Sequence, residues 1–173
     1  MTVAGRVDGH PVTRRVTVHL RQQDLSPSGH VGNASTVGVL EEARTVFLGH
    51  ARPGRVGYVD GILEVLGERA RMLIGQQTVE YTSELWYTHE PLLVSLWISH
   101  IGRSSFSVAA TIADQSDPTA QAAVSSEATI VLVDRLTGRP WPITDDVRDV
   151  FVRHHGDPVA LRPRPGPDAA AGP

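Results

Sequence analysis

The sequence of 173 residues contains no cysteine. That excludes a disulfide framework, a thiolate zinc site and a cysteine nucleophile. Aromatic side chains are few, at 5 % of the chain, and Trp86, Tyr87 and Trp97 read first as core or interface residues. No apolar run approaches the ~20 residues that a membrane helix needs. The opening MTVAGRVDGH lacks the apolar centre of a signal peptide. The expectation is a cytoplasmic protein without a membrane segment. Neither sign of charge dominates: the formal net charge is −3, which gives no reason to expect nucleic acid as a partner.

What is present suits one domain with a sizeable core, since the hydrophobic share is 40 %. Residues 1–11 are polar and Gly-containing and read as a flexible start. The body runs over residues 12–151. From Gly156 the chain reads GDPVALRPRPGPDAAAGP. Residues 156–173 carry too little apolar surface to offset the entropy of ordering them, so they read as a disordered tail whose loss is tolerated.

Within the body, Val16, Val18 and Leu20 alternate with polar neighbours, the period of a half-buried strand. Pro27 and Gly29 break the chain into a turn. A helix follows, with Asn33 or Ser35 as its cap. Its apolar stripe is Val37, Leu40, Ala43 and Phe47, with Glu41, Arg44 and Leu48 along the edge. Gly49 and Pro53 stop it, and a short second helix is expected over 58–66, ended by Gly67. Four strands come next. The first carries Leu73, Val79, Tyr81, Leu85 and Tyr87 on one face. Leu92 to Ile98 and Phe106 to Ile112 alternate in the same way, a loop turns at Asp114–Pro118, and a last strand covers about 122–134. Short turns predict antiparallel neighbours. The helix must bury its stripe against their sheet, an α+β layout.

The run from Val18 to Asn33 contains Asp24-Leu-Ser-Pro-Ser-Gly29-His30-Val31-Gly32-Asn33 and is followed by Leu40-Glu41-Glu42-Ala43-Arg44. This resembles the signature of the 4-hydroxybenzoyl-CoA thioesterase family: Asp-x-Asp, then Gly-His-Val-Asn-Asn, then Glu-Ala-Arg in a helix. Ile101-Gly-Arg103-Ser104-Ser-Phe106 is similar to the family's Gly-Arg-Ser-Ser strand start. Thr129 to Pro140 is similar to its last strand and exit. The likeness spans about residues 13–142. It implies a hotdog fold, in which an antiparallel sheet wraps a central helix. It implies pairing into a homodimer or homotetramer, with the active site at the dimer seam. It also implies hydrolysis of an acyl-CoA or acyl-carrier-protein thioester, with no cofactor or metal.

The residue types fit that chemistry. Free N–H groups at a helix start, here within residues 31–36, can stabilise an oxyanion. A carboxylate beside them can attack the thioester or activate water, and Asp24 and Glu41 are the candidates. His30 and Asn33 would orient substrate or water. Arg103 and Ser104 would contact the CoA arm, the guanidinium through phosphate. Ser26 stands where the family has its second Asp, usually the catalytic carboxylate, and Gly32 stands where the first Asn is expected. Two other readings therefore stay open. One is an acyl-thioester binding module without catalysis. The other is an enoyl-thioester hydratase or dehydratase, whose Asp-x-Asn-Pro-x-His motif is nearly matched from Asp24 to His30, with the histidine one residue late. Bland roles compete as well: Asp24 as a turn residue, Asn33 as a helix cap, and Glu41–Arg44 as a surface pair.

Overall fold

A computed structural model describes residues 13–49, 61–66, 68–113 and 122–162. The expectations for residues 1–11, Pro53, Gly67, the Asp114–Pro118 loop and residues 163–173 lie outside these. Strand β1 spans Arg14–Val18 and helix α1 Asn33–Leu48, followed by β2 at Ala70–Tyr81 and β3 at Leu92–Ile101. β4 is Ser105–Ile112, β5 is Val124–Asp134, and a second helix, α2, is Asp145–Val152. Of the short helix expected before β2, the described part holds only a 3₁₀ turn at Glu64–Leu66.

The five strands form one antiparallel sheet in the order β1-β3-β4-β5-β2. β3, β4 and β5 are neighbours joined in succession, as their spacing implies. β2 is not beside β3. It pairs along its whole length with β5, so the link from β2 to β3 crosses the sheet and β1 and β2 become its two edges. Both the helix and this crossing are the topology of the hotdog layout.

One face of the sheet is apolar and buried. Leu92, Val94, Leu96 and Ile98 lie beside Phe106, Val108 and Ile112, then Val124, Ile130 and Leu132. α1 lays Val39, Leu40, Ala43 and Phe47 on that face. Each fully buried Leu, Ile or Phe stabilises the fold by about 1.5–3 kcal/mol. The stripe is rotated from the one expected: Val37 is exposed, while Thr36, Val39 and Arg44 are buried. The cap is Gly32 rather than Asn33 or Ser35, with no side-chain cap bond. Gly49 does end the helix, at φ 80°.

A register shift between Ile74 and Gln76 makes Gly75 a bulge residue. Its extra position turns Leu73 to the opposite face from Val79 and Tyr81, which corrects the single face expected for that strand. The strand also stops at Tyr81, short of Leu85 and Tyr87. α2 is an element that the sequence pattern did not suggest. It buries Val147 and Phe151, the latter with its ring centroid 4.5 Å from that of Phe106.

The segment after α2 is also tied to the sheet. Ile98 N–H donates to the His154 carbonyl (2.8 Å) and Gly156 N–H to the Ile98 carbonyl (2.9 Å). The Trp97 indole donates to the Asp157 carbonyl, and Arg162 reaches Glu80 on β2. Residues 156–162 thus cross the outer face from β3 to the β2 edge, where a disordered tail was expected to begin.

Candidate active site

The loop between β1 and α1 is built by its own backbone. Gly29 N–H donates to the Ser26 carbonyl at 2.9 Å, and Ser26 N–H to the His30 carbonyl at 2.7 Å. Gly29 has φ 90°, a conformation that costs glycine nothing. Val31 N–H donates to the Leu85 carbonyl, which docks the loop on the segment before β3.

Asp24 is engaged in this loop. Its carboxylate accepts the Arg21 N–H at 2.6 Å, and its carbonyl accepts the Gly32 N–H at 3.0 Å. The turn-residue role weighed from the sequence is therefore realised. His30 is half-buried. Its Nδ1 lies 3.2 Å from the Ser28 hydroxyl, which lies 3.2 Å from that of Ser26. Its ring meets Trp86 edge-on at 6.1 Å between centroids. Trp86 is 49 % exposed and so is not a core residue.

Asn33 is the exposed first residue of α1. The first-turn N–H groups have no intrahelical acceptor and carry partial positive charge. Glu41 is exposed eight residues further on, about 12 Å along the axis. Helical side chains lean towards the N-terminus, which brings its carboxylate back over the preceding turn.

Glu41 borders a cleft of about 190 Å³ between α1 and the β2 edge, with Arg44, Leu48, Met72, Ile74 and Ile130 among its walls. Arg44 is only 7 % exposed. Its Nη1 donates to the Gln77 side-chain carbonyl on β2 at a long 3.4 Å. Burial lowers the basicity of its guanidinium, and the charge of Glu41 opposes that shift. Higher up, burial raises the Tyr81 phenol while the Thr36 hydroxyl counters it. The surface pair of Glu41 and Arg44 weighed as one alternative is not formed, because Arg44 is buried. Its spacing held the signal that it is buried, because it follows Leu40 by four and precedes Phe47 by three.

Arg103 and Ser104 are not part of this cluster within one chain. They occupy the turn between β3 and β4, whereas the Asp24–Asn33 loop follows the β1 end that pairs with Leu92. The ten residues of β3 separate the two ends, roughly 30 Å. The turn's backbone has structural duties: Ile143 N–H donates to the Arg103 carbonyl and Leu132 N–H to that of Ser104. The Arg103 side chain is exposed. Among the described residues no cluster of three or more His, Asp or Glu could hold a metal ion, and no helix is long and apolar enough to cross a membrane.

A family model described as the thioesterase-like superfamily matches residues 20–151. The chain belongs to the thioesterase-like superfamily. This match covers the loop, α1 and the whole sheet after β1. Solved structures similar to this thioesterase-like chain include a predicted thioesterase from Bacillus stearothermophilus at 21 % identity, with 85 % of this chain and 99 % of that one covered and a TM-score of 0.65. A thioesterase from Thermus thermophilus, complexed with coenzyme A and zinc, has 22 % identity, coverage of 84 % and 95 %, and a TM-score of 0.59. A hypothetical protein from Staphylococcus aureus in complex with CoA has 12 % identity, coverage of 91 % and 94 %, and a TM-score of 0.67. A search of curated proteins gave no match.

Proposed function

We propose that this member of the superfamily hydrolyses an acyl-CoA thioester to the free acid and the thiol, with Glu41 as the catalytic carboxylate. The observation that carries this is the exposed Glu41 at the cleft between α1 and β2, on the helix whose uncapped first turn offers N–H groups. The first-turn N–H groups would hold the thioester oxygen as it gains negative charge. Glu41 would take a proton from water as the water oxygen attacks the carbonyl carbon. The C–S bond then breaks, and the proton passes to the departing thiolate. Asn33 and His30 would orient water and substrate from the helix start, while Asp24 keeps the loop in shape. CoA is favoured over a carrier protein as the thiol because two of the similar structures hold CoA.

We further propose a homodimer formed along the β2 edge. Leu73 and Ile74 on this strand are 46 % and 48 % exposed, an unusual apolar display for an edge strand. Two-fold pairing there runs the two sheets in opposite directions. It would bring the Arg103 and Ser104 turn of one copy towards the α1 start of the other, where it can meet the CoA phosphates.

The test is release of free thiol from a panel of acyl-CoAs. Glu41→Gln should lower kcat by about 100-fold or more, the usual scale for a general base, and Asp24→Asn by much less. A second reading, binding without hydrolysis, is favoured by Ser26 standing in place of a carboxylate while that of Asp24 is occupied. Acyl-CoA binding with no thiol release by the wild type would decide for it.

A further inference from the structure

A buried arginine needs an acceptor, and Arg44 has an inadequate one. Its guanidinium offers five donors, yet among the described residues its one hydrogen bond is the 3.4 Å contact to Gln77. Gln77 itself holds a buried Nε2 that has no hydrogen-bond partner among the described residues. The bulge at Gly75 sets its parity: Gln77 pairs with Ala128, whose side chain is on the buried face, so the amide points inward beside α1. Arg44 lines a cleft whose other walls include Leu48, Met72, Ile74 and Ile130, and its guanidinium meets the Gln77 side chain there through one long hydrogen bond. A guanidinium at the wall of an apolar cleft, held by one long hydrogen bond, has donors left for a ligand's acceptors.

Building on the hydrolase reading, we propose that Arg44 and Gln77 form a specificity subsite for the far end of the acyl group, and that the preferred substrates are short acyl thioesters ending in a carboxylate. Charge and size both argue for this class. A carboxylate matches a guanidinium with two parallel hydrogen bonds, and a second acceptor position remains for the amide. Glu41 precedes Arg44 by less than one turn of α1, so the reacting carbonyl and the distal carboxylate are a short chain apart. The cleft of about 190 Å³ takes a few carbons within its walls. The aliphatic walls accommodate the methylenes between the two ends.

The deciding experiment compares kcat/KM for CoA thioesters of matched length that end in carboxylate, hydroxyl or methyl. It uses the wild type, Arg44→Met and Gln77→Glu, with calorimetric binding of the free diacids and monoacids alongside. Methionine keeps length and apolar contact at position 44. Glutamate at 77 would supply Arg44 with an internal carboxylate and compete with the ligand's. The wild type should favour the carboxylate end by about tenfold or more, and both variants should lower that ratio by a similar factor. Equal preference for all ends in the wild type would overturn the subsite. So would a uniform loss across all ends in Arg44→Met, which would make Arg44 a positioning residue for Glu41. If no thioester is hydrolysed while diacids bind in an Arg44-dependent way, the hydrolase reading falls and the subsite stands.

Discussion

Among single residues, His154 carries a consequence separate from the site. Its ring packs edge-on against Phe47 at 5.7 Å between centroids, and its Nδ1 is buried without a hydrogen-bond partner among the described residues. Burial, then the nearby Arg153 and Arg14 charges, lower its pKa below the ordinary 6.5. A histidine kept neutral by the fold favours folding only while the unfolded chain is also neutral. Its contribution is thus fully present above about pH 6.5 and is lost as the pH falls through that value towards the lower folded one. Thermal melts of the wild type should drop between about pH 7.5 and about pH 5.5, and His154→Gln should flatten part of that drop. Parallel curves for the two proteins would remove His154 from the account. At this same scale the sequence was partly legible. Asp24 could be named as a turn residue because Asp accepts local N–H bonds. Arg44 could be placed at the stripe edge but not in a buried contact, because a charge there is usually solvated and the contact with Gln77 is tertiary.

Among elements, β3 and β4 were legible because strict alternation fixes which side chains enter the core. β2 was not, because one bulge residue reverses parity and glycine at 75 gives no apolar signal of its own. α2 was missed although Asp145 and Asp146 open it and Val147 and Phe151 are spaced by four. Eight residues give only about two turns of pattern, too few to stand out from the strand exit before it. The segment after α2 gives the sharper test. Deleting residues 156–173 removes the Gly156–Ile98 and Trp97–Asp157 hydrogen bonds. It should cost about 1–3 kcal/mol in urea unfolding, whereas deleting 163–173 should leave those bonds intact. Equal midpoints for the two truncations would mean that the crossing segment contributes no stability.

For the whole molecule, the crossing of the chain from β2 to β3 leaves β2 as a free edge bearing Leu73 and Ile74. No sequence periodicity reveals strand order, since alternation speaks of faces and not of neighbours. The short turns pointed instead to β2 beside β3, which the sheet order overturns. If the edge is the dimer seam, Leu73→Lys should raise the dimer dissociation constant by about tenfold or more, ~1.4 kcal/mol, as read by light scattering across a dilution series. A wild type that is monomeric at every concentration would dispose of the seam.

That strand order also sets a schedule for the protein's synthesis. β2 leaves the ribosome well before β5, its only partner among the described strands, while β3, β4 and β5 can pair as each emerges. Through that interval a nascent chain carries Met72, Leu73 and Ile74 on an unpaired strand, a stretch open to chaperones and to mispairing with neighbouring chains. The cleft wall made by β2 comes into being only when the last strand in the sequence pairs with it, so no substrate could be held before β5 has been made.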